Sequence, residues 1–193
     1  MEELLLFLNK IASSEGWPLS QECLSYIRDV TGCINLRKDQ YLLQSGQICR
    51  NLYFIKSGLL KCFYVLHGEQ VSDWFFGAQE AVVSIDSFYD QVAGEDYIQA
   101  LEDCELYFIS FEKLTYLYRH FVEFNVVGRV LTNKYLRIWH RQARNIRMMT
   151  AEERFVFLMQ RQPELFNRVP IKDLASYLDM SRETLSRMRR KLH

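Results

Sequence analysis

The sequence predicts an α+β protein with three parts: a compact antiparallel β sandwich or barrel with flanking helices, a long helix, and an all-α C-terminal domain. Between residues 36 and 111, short runs rich in aromatic and β-branched residues alternate with turn signals. Residues 121–147 contain no proline and only one glycine. The last 25 residues have the pattern of two short helices joined by a tight turn.

The charge of the chain is balanced in total but not along its length. The 193 residues include 24 Lys/Arg and 24 Asp/Glu. Residues 1–133 hold 10 basic and 18 acidic residues, a net charge of −8, whereas residues 134–193 hold 14 and 6, a net charge of +8. This asymmetry favours a sensing or scaffolding part joined to a nucleic-acid-binding part, with two solvated faces as the alternative.

The cysteines and the N-terminus indicate a cytoplasmic protein. The five cysteines are widely spread and form no C-x-x-C pair, so we expect free thiols in a reducing compartment. The N-terminal MEELLLFLNK opens acidic and its apolar run is short, which is untypical of a signal peptide. No segment approaches the ~20 apolar residues that span a membrane, so we expect no membrane partner.

The first half of the chain is predicted to pass from helix to strand. Residues 3–30 are expected to be helical, with a break at Gly16-Trp17-Pro18 and a new start at Leu19 and Ser20. Repeated short strands after residue 36 predict a compact antiparallel sandwich or barrel. Residues 79–96 mix small apolar and acidic residues and are expected to form a short helix and a loop. The strand-like runs are YLLQ, LYFIK, LLKCFYVL, VSDWFF, YIQAL and ELYFISF.

Residues 121–147 could form a helix of roughly 35–40 Å. Phe124, Leu131 and Ile138 recur every seven residues, with Val127 and Tyr135 near the intervening positions. This heptad-like pattern predicts a seam between two copies of the chain, with packing against its own β domain as the alternative. The end of the helix is basic, which could complement the helix dipole or approach phosphate. Its arginines are Arg137, Arg141, Arg144 and Arg147.

A small helical domain is predicted from about residue 149. Thr150 and Glu153 have the spacing of a capping box, and the helix they open would carry Phe155, Leu158 and Met159 inward. Residues 163–170 are expected to be a loop. The apolar face of the next helix would consist of Ile171, Leu174, Ala175 and Leu178.

The final helix has the chemistry of a DNA-reading element. Asp179 stands where the chain must reverse, and Ser181 is placed to cap the helix. Leu185, Met188 and Leu192 share one face. A short helix with one apolar face and an opposite Arg/Glu face suits insertion into the DNA major groove. The opposite face carries Glu183, Ser186, Arg187 and Arg190, with Arg182 at its flank.

The whole layout resembles the Crp/Fnr family of bacterial transcription regulators. The motif SRETLSR at 181–187 is close to the family's recognition-helix signature, S-R-E-T-[VL]-x-R. LYFIKSG at 52–58, FFG at 75–77 and ALEDCELYFIS at 100–110 resemble parts of its β-roll. The resemblance implies an N-terminal antiparallel β-roll, jelly-roll-like and of the cyclic-nucleotide-binding type, and a C-terminal all-α helix-turn-helix domain, here without room for a full wing. The implied boundaries are 1–120 for the effector domain, 121–148 for the dimerisation helix and hinge, and 149–193 for the helix-turn-helix domain.

The resemblance also implies the function and the partners. Its base-reading positions fall on Arg182, Glu183 and Arg187, and a G·C-containing half-site related to TGTGA is expected. Further DNA contacts are expected from Ser181, Thr184, Ser186 and Arg190. The implied partners are double-stranded DNA, a second copy of the chain, RNA polymerase and an unidentified small-molecule effector, with no cofactor. The alternative is a ligand-sensing or interaction module whose helix-turn-helix is vestigial.

The effector region departs from the family pattern. Cyclic-nucleotide binders of the family carry F-G-E-[LI] followed by R-[ST]-A, whose arginine neutralises the phosphate. Here FFG continues as Ala78-Gln79-Glu80, and the arginine position falls at Gly94 in the acidic run Gly94-Glu95-Asp96. Two carboxylates would repel a phosphate, so we predict that cAMP does not bind at that site. The residues expected to line a pocket for another effector are Gly77, Glu80, Tyr97 and Trp139.

Enzymatic and metal chemistry find no support in the sequence. The four histidines show no metal-ligand spacing, and only His67 lies in the strand region, which disfavours a cupin-type enzyme. No G-x-S-x-G or G-K-[ST] motif is present. We therefore expect neither a catalytic residue nor a metal ligand.

Overall fold

Eight β-strands lie at the centre of residues 1–190, the part of the chain described by the computed structural model. They confirm the predicted strand-rich middle segment, and they extend it at the N-terminal side, where the first strand begins at Gly32. The strands are β1 (Gly32–Leu36), β2 (Tyr41–Leu43), β3 (Asn51–Ser57), β4 (Leu60–Leu66), β5 (Glu69–Phe76), β6 (Ala81–Val82), β7 (Tyr97–Ala100) and β8 (Cys104–Ser110).

The strands form two antiparallel four-stranded sheets that face each other as a β-roll. The strand orders are β1-β8-β3-β6 and β2-β7-β4-β5. Because side chains alternate along a strand, Ile55 and its cross-strand partner Leu106 point into the roll and are fully buried. Ile98 and Leu60 are equally buried on the other sheet. The apolar runs of the sequence therefore supply the two inner faces of the roll.

The predicted turns are glycine-dependent, and Gly58 shows why. This residue, between β3 and β4, has φ +102°, a conformation that side chains rarely adopt. A Cβ atom built on it would lie 2.4 Å from the Cys104 Sγ atom on the facing strand. Only glycine therefore allows the two chain segments to approach this closely.

Nine helices surround and follow the roll in the described residues. The predicted helical start is confirmed, with its break after residue 14, and Ser20 caps the second helix by accepting a hydrogen bond from the Cys23 amide at 3.2 Å. The helices are α1 (Glu2–Ser14), α2 (Gln21–Val30), α3 (Ile85–Asp90), α4 (Phe111–His120), α5 (Val122–Met148), α6 (Ala151–Arg161), α7 (Leu165–Arg168), α8 (Ile171–Tyr177) and α9 (Arg182–Arg190).

Helix α5 is as long as expected, but the predicted dimer seam is wrong. Phe124 and Val127 are buried within the chain's own core, and Leu131 and Ile138 pack against that core. The Tyr135 hydroxyl accepts a hydrogen bond from the Ala81 amide at 2.8 Å. These residues therefore attach α5 to its own β-roll, which was the alternative that the heptad pattern left open.

The C-terminal domain matches the predicted helix order with two differences. Residues 163–170, expected to be a loop, contain the one-turn helix α7, whose Leu165 and Phe166 are buried. Ile171, placed on the apolar face of α8, is partly exposed, whereas the other residues of that face are buried. Leu192, predicted on the inner face of the last helix, lies outside the described residues, as do Lys191 and His193.

Candidate nucleic-acid interface

Two local features predicted from the sequence form the turn between α8 and α9: a left-handed backbone conformation and a helix cap. Asp179 has φ +51°, the left-handed conformation that aspartate tolerates better than most residues. The Ser181 Oγ atom accepts a hydrogen bond from the Thr184 amide at 3.1 Å, which caps α9 at its first turn. The direction in which α9 leaves the turn is therefore fixed by side chains next to it in sequence.

The inner face of α9 is anchored in the core of the domain. Leu185 is fully buried, and Met188 packs against buried residues of the core. On α6, the predicted capping box is present, since the Glu153 amide donates to the Thr150 Oγ atom at 3.3 Å and the Glu153 carboxylate accepts from the Thr150 amide at 2.8 Å. The helix that supports the turn is thus itself well defined.

Arg154 is a positioning residue that sequence reasoning missed. Its guanidinium donates to the carbonyl oxygens of Leu178 and Asp179, both at 2.8 Å, and to that of Met149 at 2.8 Å. One side chain of α6 therefore holds the turn between α8 and α9. Its position one residue after the capping-box glutamate was visible in the sequence, but its carbonyl partners, about 25 residues away, were not.

The outer face of α9 presents charged side chains to solvent. Arg182, Glu183, Arg187 and Arg190 are exposed, while Thr184 and Ser186 are half-buried. Hydrogen bonds at the start of the helix, first that of its own backbone amide, lower the pKa of Glu183, so it is ionised at neutral pH. Among the ion pairs within residues 1–190, none involves Glu183 or Arg187. Both side chains can therefore bind another molecule.

The C-terminal domain is docked on the β-roll through α8. Lys61 of β4 and Asp173 of α8 form an ion pair at 3.1 Å, with their side chains only 3% and 6% exposed. The Ser72 amide of β5 donates to the Ser176 Oγ atom at 3.0 Å, and the Tyr177 hydroxyl donates to Gln142 of α5 at 3.0 Å. This docking leaves the outer face of α9 in solvent.

A second ion pair joins the same two parts of the chain at the surface. The Arg168 guanidinium donates to both carboxylate oxygens of Glu102, at 2.8 and 2.6 Å, and to the Gly58 carbonyl at 3.2 Å. The hydrogen bonds from Arg168 lower the pKa of Glu102. A bidentate contact of this kind fixes orientation better than a single one.

The four residues expected to form an effector pocket are not brought together. Gly77 and Glu80 lie in a polar cavity of ≈ 420 Å³ between the roll and α5 to α7. There the Gly77 amide donates to the Glu80 carboxylate at 2.8 Å, and burial raises the pKa of Glu80. Tyr97 stacks on Phe63, with ring centroids 4.9 Å apart, and Trp139 lines a different, apolar cavity. Long-range packing, which the sequence does not show, separates them.

Comparison with known proteins identifies the middle of the chain. Residues 33–121 match the family described as cyclic nucleotide-binding domain. The match covers 89 of the 193 residues. A sequence search of curated proteins finds no match. Within residues 1–190, no helix is long and apolar enough to cross a membrane.

Solved structures show that the likeness extends over most of the chain. The c-di-GMP responsive global regulator CLP of Xanthomonas campestris is 20% identical, with a TM-score of 0.67 over 90% of this chain and 91% of that one. FixK2 of Bradyrhizobium japonicum is 19% identical, with a TM-score of 0.73 over 85% of each chain. A protein of the crp/fnr family from Eubacterium rectale is 17% identical, with a TM-score of 0.70 over 90% of this chain and 83% of that one. The expected likeness to Crp/Fnr regulators and their α+β fold is confirmed.

The position of Gly94, where the family pattern places an arginine, is too crowded for a side chain unless its neighbours shift. A Cβ atom on Gly94 would lie 2.9 Å from the Ser87 Cβ atom and 3.2 Å from the Ser84 Oγ atom. Close by, the Asp96 carboxylate accepts a hydrogen bond from the Ser84 hydroxyl at 2.5 Å. The region thus has a carboxylate in place of a guanidinium.

Proposed function

We propose that the protein is a sequence-specific, DNA-binding transcription regulator of the Crp/Fnr type, without enzymatic activity. The observation that carries this proposal is the exposed face of α9, whose opposite face is buried and whose start is capped. Arg187 and Arg182 can each donate two hydrogen bonds to guanine, and the ionised Glu183 can accept one from the cytosine amino group. The similarity to transcription regulators over most of the chain supports the same function.

Contacts to the DNA backbone would come from residues around this face. Arg190 is exposed at the end of α9, and Ser181, Thr184 and Ser186 carry hydroxyl groups along the helix. Such contacts position a protein on the duplex without reading its sequence. The exposed arginines of α5 add positive charge, which makes binding salt-dependent. They are Arg137, Arg141, Arg144 and Arg147.

The regulator would act as a homodimer on a pseudo-palindromic site, through a different face of α5 from the one expected. Leu136, Trp139, Ala143 and Ile146 are all exposed and are spaced by three, four and three residues. This is the spacing of a coiled-coil seam, and Leu136 is 62% exposed in the single chain. Pairing along this face would bury these side chains and present two copies of α9 to successive major grooves.

The crowded Gly94 position and the Asp96 carboxylate support control by something other than cAMP. A cyclic phosphate at this site would face a carboxylate without a compensating guanidinium. RNA polymerase as a further partner, and the cytoplasm as the location, belong to the same proposal because a bacterial transcription regulator works at the DNA.

Selection from a random duplex pool, followed by fluorescence-anisotropy titration, tests the proposal. We expect an enriched pseudo-palindromic site containing G·C pairs. On that site, Arg187→Ala should lose roughly 1–3 kcal/mol of binding free energy, because a bidentate contact to guanine is removed. On a random duplex the same substitution should change binding much less.

Arg190→Ala is the matched control on the same helix, because loss of a phosphate contact should weaken both duplexes by similar factors. If Arg187→Ala weakened both duplexes equally, Arg187 would not read a base. Salt-sensitive binding without any enriched site would instead support a vestigial helix-turn-helix.

A further inference from the structure

An apolar cavity of ≈ 330 Å³ lies between the β-roll and the helices that cover it. One wall is the outer face of the sheet β1-β8-β3-β6, where Leu52 and Phe54 of β3 lie beside Ile109 and Tyr107 of β8. The other walls come from helices α1 to α5, and Phe76 of β5 also lines the cavity. This volume falls within the range of ~300–1,000 Å³ that is usual for small-molecule sites.

The cavity is distinct from the interior of the roll. Side chains alternate along β3, so Leu52 and Phe54 face the cavity while Ile55 faces the other sheet and is fully buried. The Gly94 and Asp96 positions discussed above do not line it. A ligand in this cavity would therefore contact the helices of the domain and would not need a phosphate-binding segment.

The lining of the cavity defines the chemical class of its ligand. None of its lining residues carries a charge, and its polar groups are tyrosine and threonine hydroxyls and the Trp139 indole. A charged group buried there would lose its hydration without gaining a partner. Hydrocarbon surface, in contrast, would be removed from water on all sides. The lining thus favours an uncharged, mainly hydrocarbon molecule.

Tyr118 gives the cavity one polar group that can bind such a molecule. Its ring approaches α5 closely because residue 128 is a glycine, and a Cβ atom there would lie 2.5 Å from the Tyr118 Cε1 atom. Burial raises the pKa of Tyr118 to about 12, so its hydroxyl remains a neutral donor. Within residues 1–190, the hydrogen bonds of the side chains do not include this hydroxyl, whereas the Tyr107 and Tyr135 hydroxyls each accept one hydrogen bond.

The size of the cavity sets the size of the ligand. An engineered apolar cavity of about 150 Å³ holds one benzene molecule, with six carbon atoms. A cavity about twice as large would therefore hold on the order of 12 non-hydrogen atoms.

We propose that this cavity is a binding site for an uncharged, mainly hydrocarbon molecule, such as a medium-length alkyl or aromatic compound with a single neutral oxygen that accepts a hydrogen bond from Tyr118. The site is formed mainly by helices α1 to α5 and the outer face of one sheet. It lies beside Leu136 and Trp139 of the exposed α5 seam, which border the same cavity.

The test is a fluorescence titration of the full chain, in the absence of DNA, with the neutral probe 2-methoxynaphthalene, which has the size estimated above and a single ether oxygen. We expect saturable binding of one probe per protomer, displacement by decan-1-ol, and no displacement by cAMP. Since the titration contains no duplex, its failure and a failure of DNA binding are separate results.

Cavity-filling variants show whether the probe occupies this site. Val127 lines the cavity and is 1% exposed, whereas Val130 on the same helix is half-buried and does not line it. Val127→Phe should weaken probe binding by about tenfold or more, equivalent to 1.4 kcal/mol, while Val130→Phe should change it by less than about twofold. Leu131→Phe, which also fills the cavity, replaces Val127→Phe if that variant does not fold.

Three results would overturn the proposal. The first is binding that does not saturate, and the second is binding that neither filling variant weakens. The third is probe binding that disappears as the protein concentration rises, because side chains of a second copy would then occupy the mouth of the cavity.

Discussion

The buried ion pair between Lys61 and Asp173 should control how the C-terminal domain is docked, and Asp173→Ala is the perturbation that tests it. The two charges lie 3.1 Å apart and are almost fully buried. The Lys61 ammonium also lies 4.5 Å from the centroid of the Phe63 ring and 3.5 Å from the Gln70 side-chain oxygen. Without Asp173, this ammonium would remain in the interface with no carboxylate to balance its charge.

The expected magnitude follows from the burial of the pair. Removing one partner of a buried ion pair typically costs about 3–5 kcal/mol, because the remaining charge stays desolvated. Separation of the two domains would let Lys61 regain its water. The equilibrium constant for undocking of the C-terminal helices should therefore rise by roughly two to three and a half orders of magnitude, since 1.4 kcal/mol corresponds to a tenfold change.

Amide hydrogen exchange at Ser72 measures this shift directly. Its N–H donates to the Ser176 hydroxyl across the interface at 3.0 Å, so it exchanges when the domains separate. Asp173→Ala should accelerate its exchange by the factor given above. The control is Glu2→Ala, which removes an ion pair of similar length, 3.0 Å to Arg28, but exposed on both sides. An exposed pair contributes about 0–1 kcal/mol, so the control should leave the exchange nearly unchanged.

A double variant separates the charge from the packing. Lys61→Met combined with Asp173→Leu replaces both charges by apolar groups, a change that is often neutral or stabilising for buried pairs. We therefore expect Ser72 exchange in the double variant to be close to that of the unmodified protein. If Ser72 exchanged as fast in the double variant as in Asp173→Ala, the faster exchange would come from altered side-chain packing and not from an unpaired charge. That result would refute the reasoning.

Two further predictions concern the dimer and the surface ion pair. Ile146→Glu should dissociate the dimer in sedimentation experiments, because it places a charge in the proposed seam, whereas Val156→Glu, at a residue with the same 43% exposure, should not. Hydrogen bonds from Arg168 lower the pKa of Glu102 in the folded protein. The stability that the ionised Glu102 contributes is therefore complete above the ordinary glutamate pKa of about 4.3, and it is lost as the pH falls through the lower pKa of the folded state. Glu102→Gln should therefore lower the urea midpoint at pH 7 and have little effect at pH 2, and an equal loss at both would contradict this.

The recognition helix could be predicted from sequence because its determinants are local. The left-handed turn at Asp179 and the cap at Ser181 depend on residues within five positions of each other. The inner face followed from the three- and four-residue spacing of apolar side chains, and Leu185 is buried as expected. Short-range geometry of this kind is the same wherever the helix lies in the fold.

The correct face of α5 could not be predicted, because the helix has two apolar stripes. The stripe with Phe124 and Val127 and the stripe with Leu136 and Ile146 both have heptad-like spacing. Which stripe packs on the β-roll depends on the outer surface of a sheet built from strands far away in sequence. The Tyr135 hydroxyl, which binds the Ala81 amide, decides the choice in the structure.

The same dependence on long-range packing explains why the residues of the effector site could not be predicted. Long-range packing also gives α5 a central position in the molecule. One side of α5 lines the apolar cavity with Leu131 and Tyr135, and another side carries the exposed seam with Ile146. Between them, Gln142 accepts a hydrogen bond from Tyr177 of the docked α8. Suppose that α5 can take two positions relative to the β-roll. A cavity ligand can then influence DNA binding only if its affinity differs between these two positions. Any such movement of α5 would shift the contact to Tyr177 and the dimer seam together, because all three surfaces belong to one continuous helix of 27 residues.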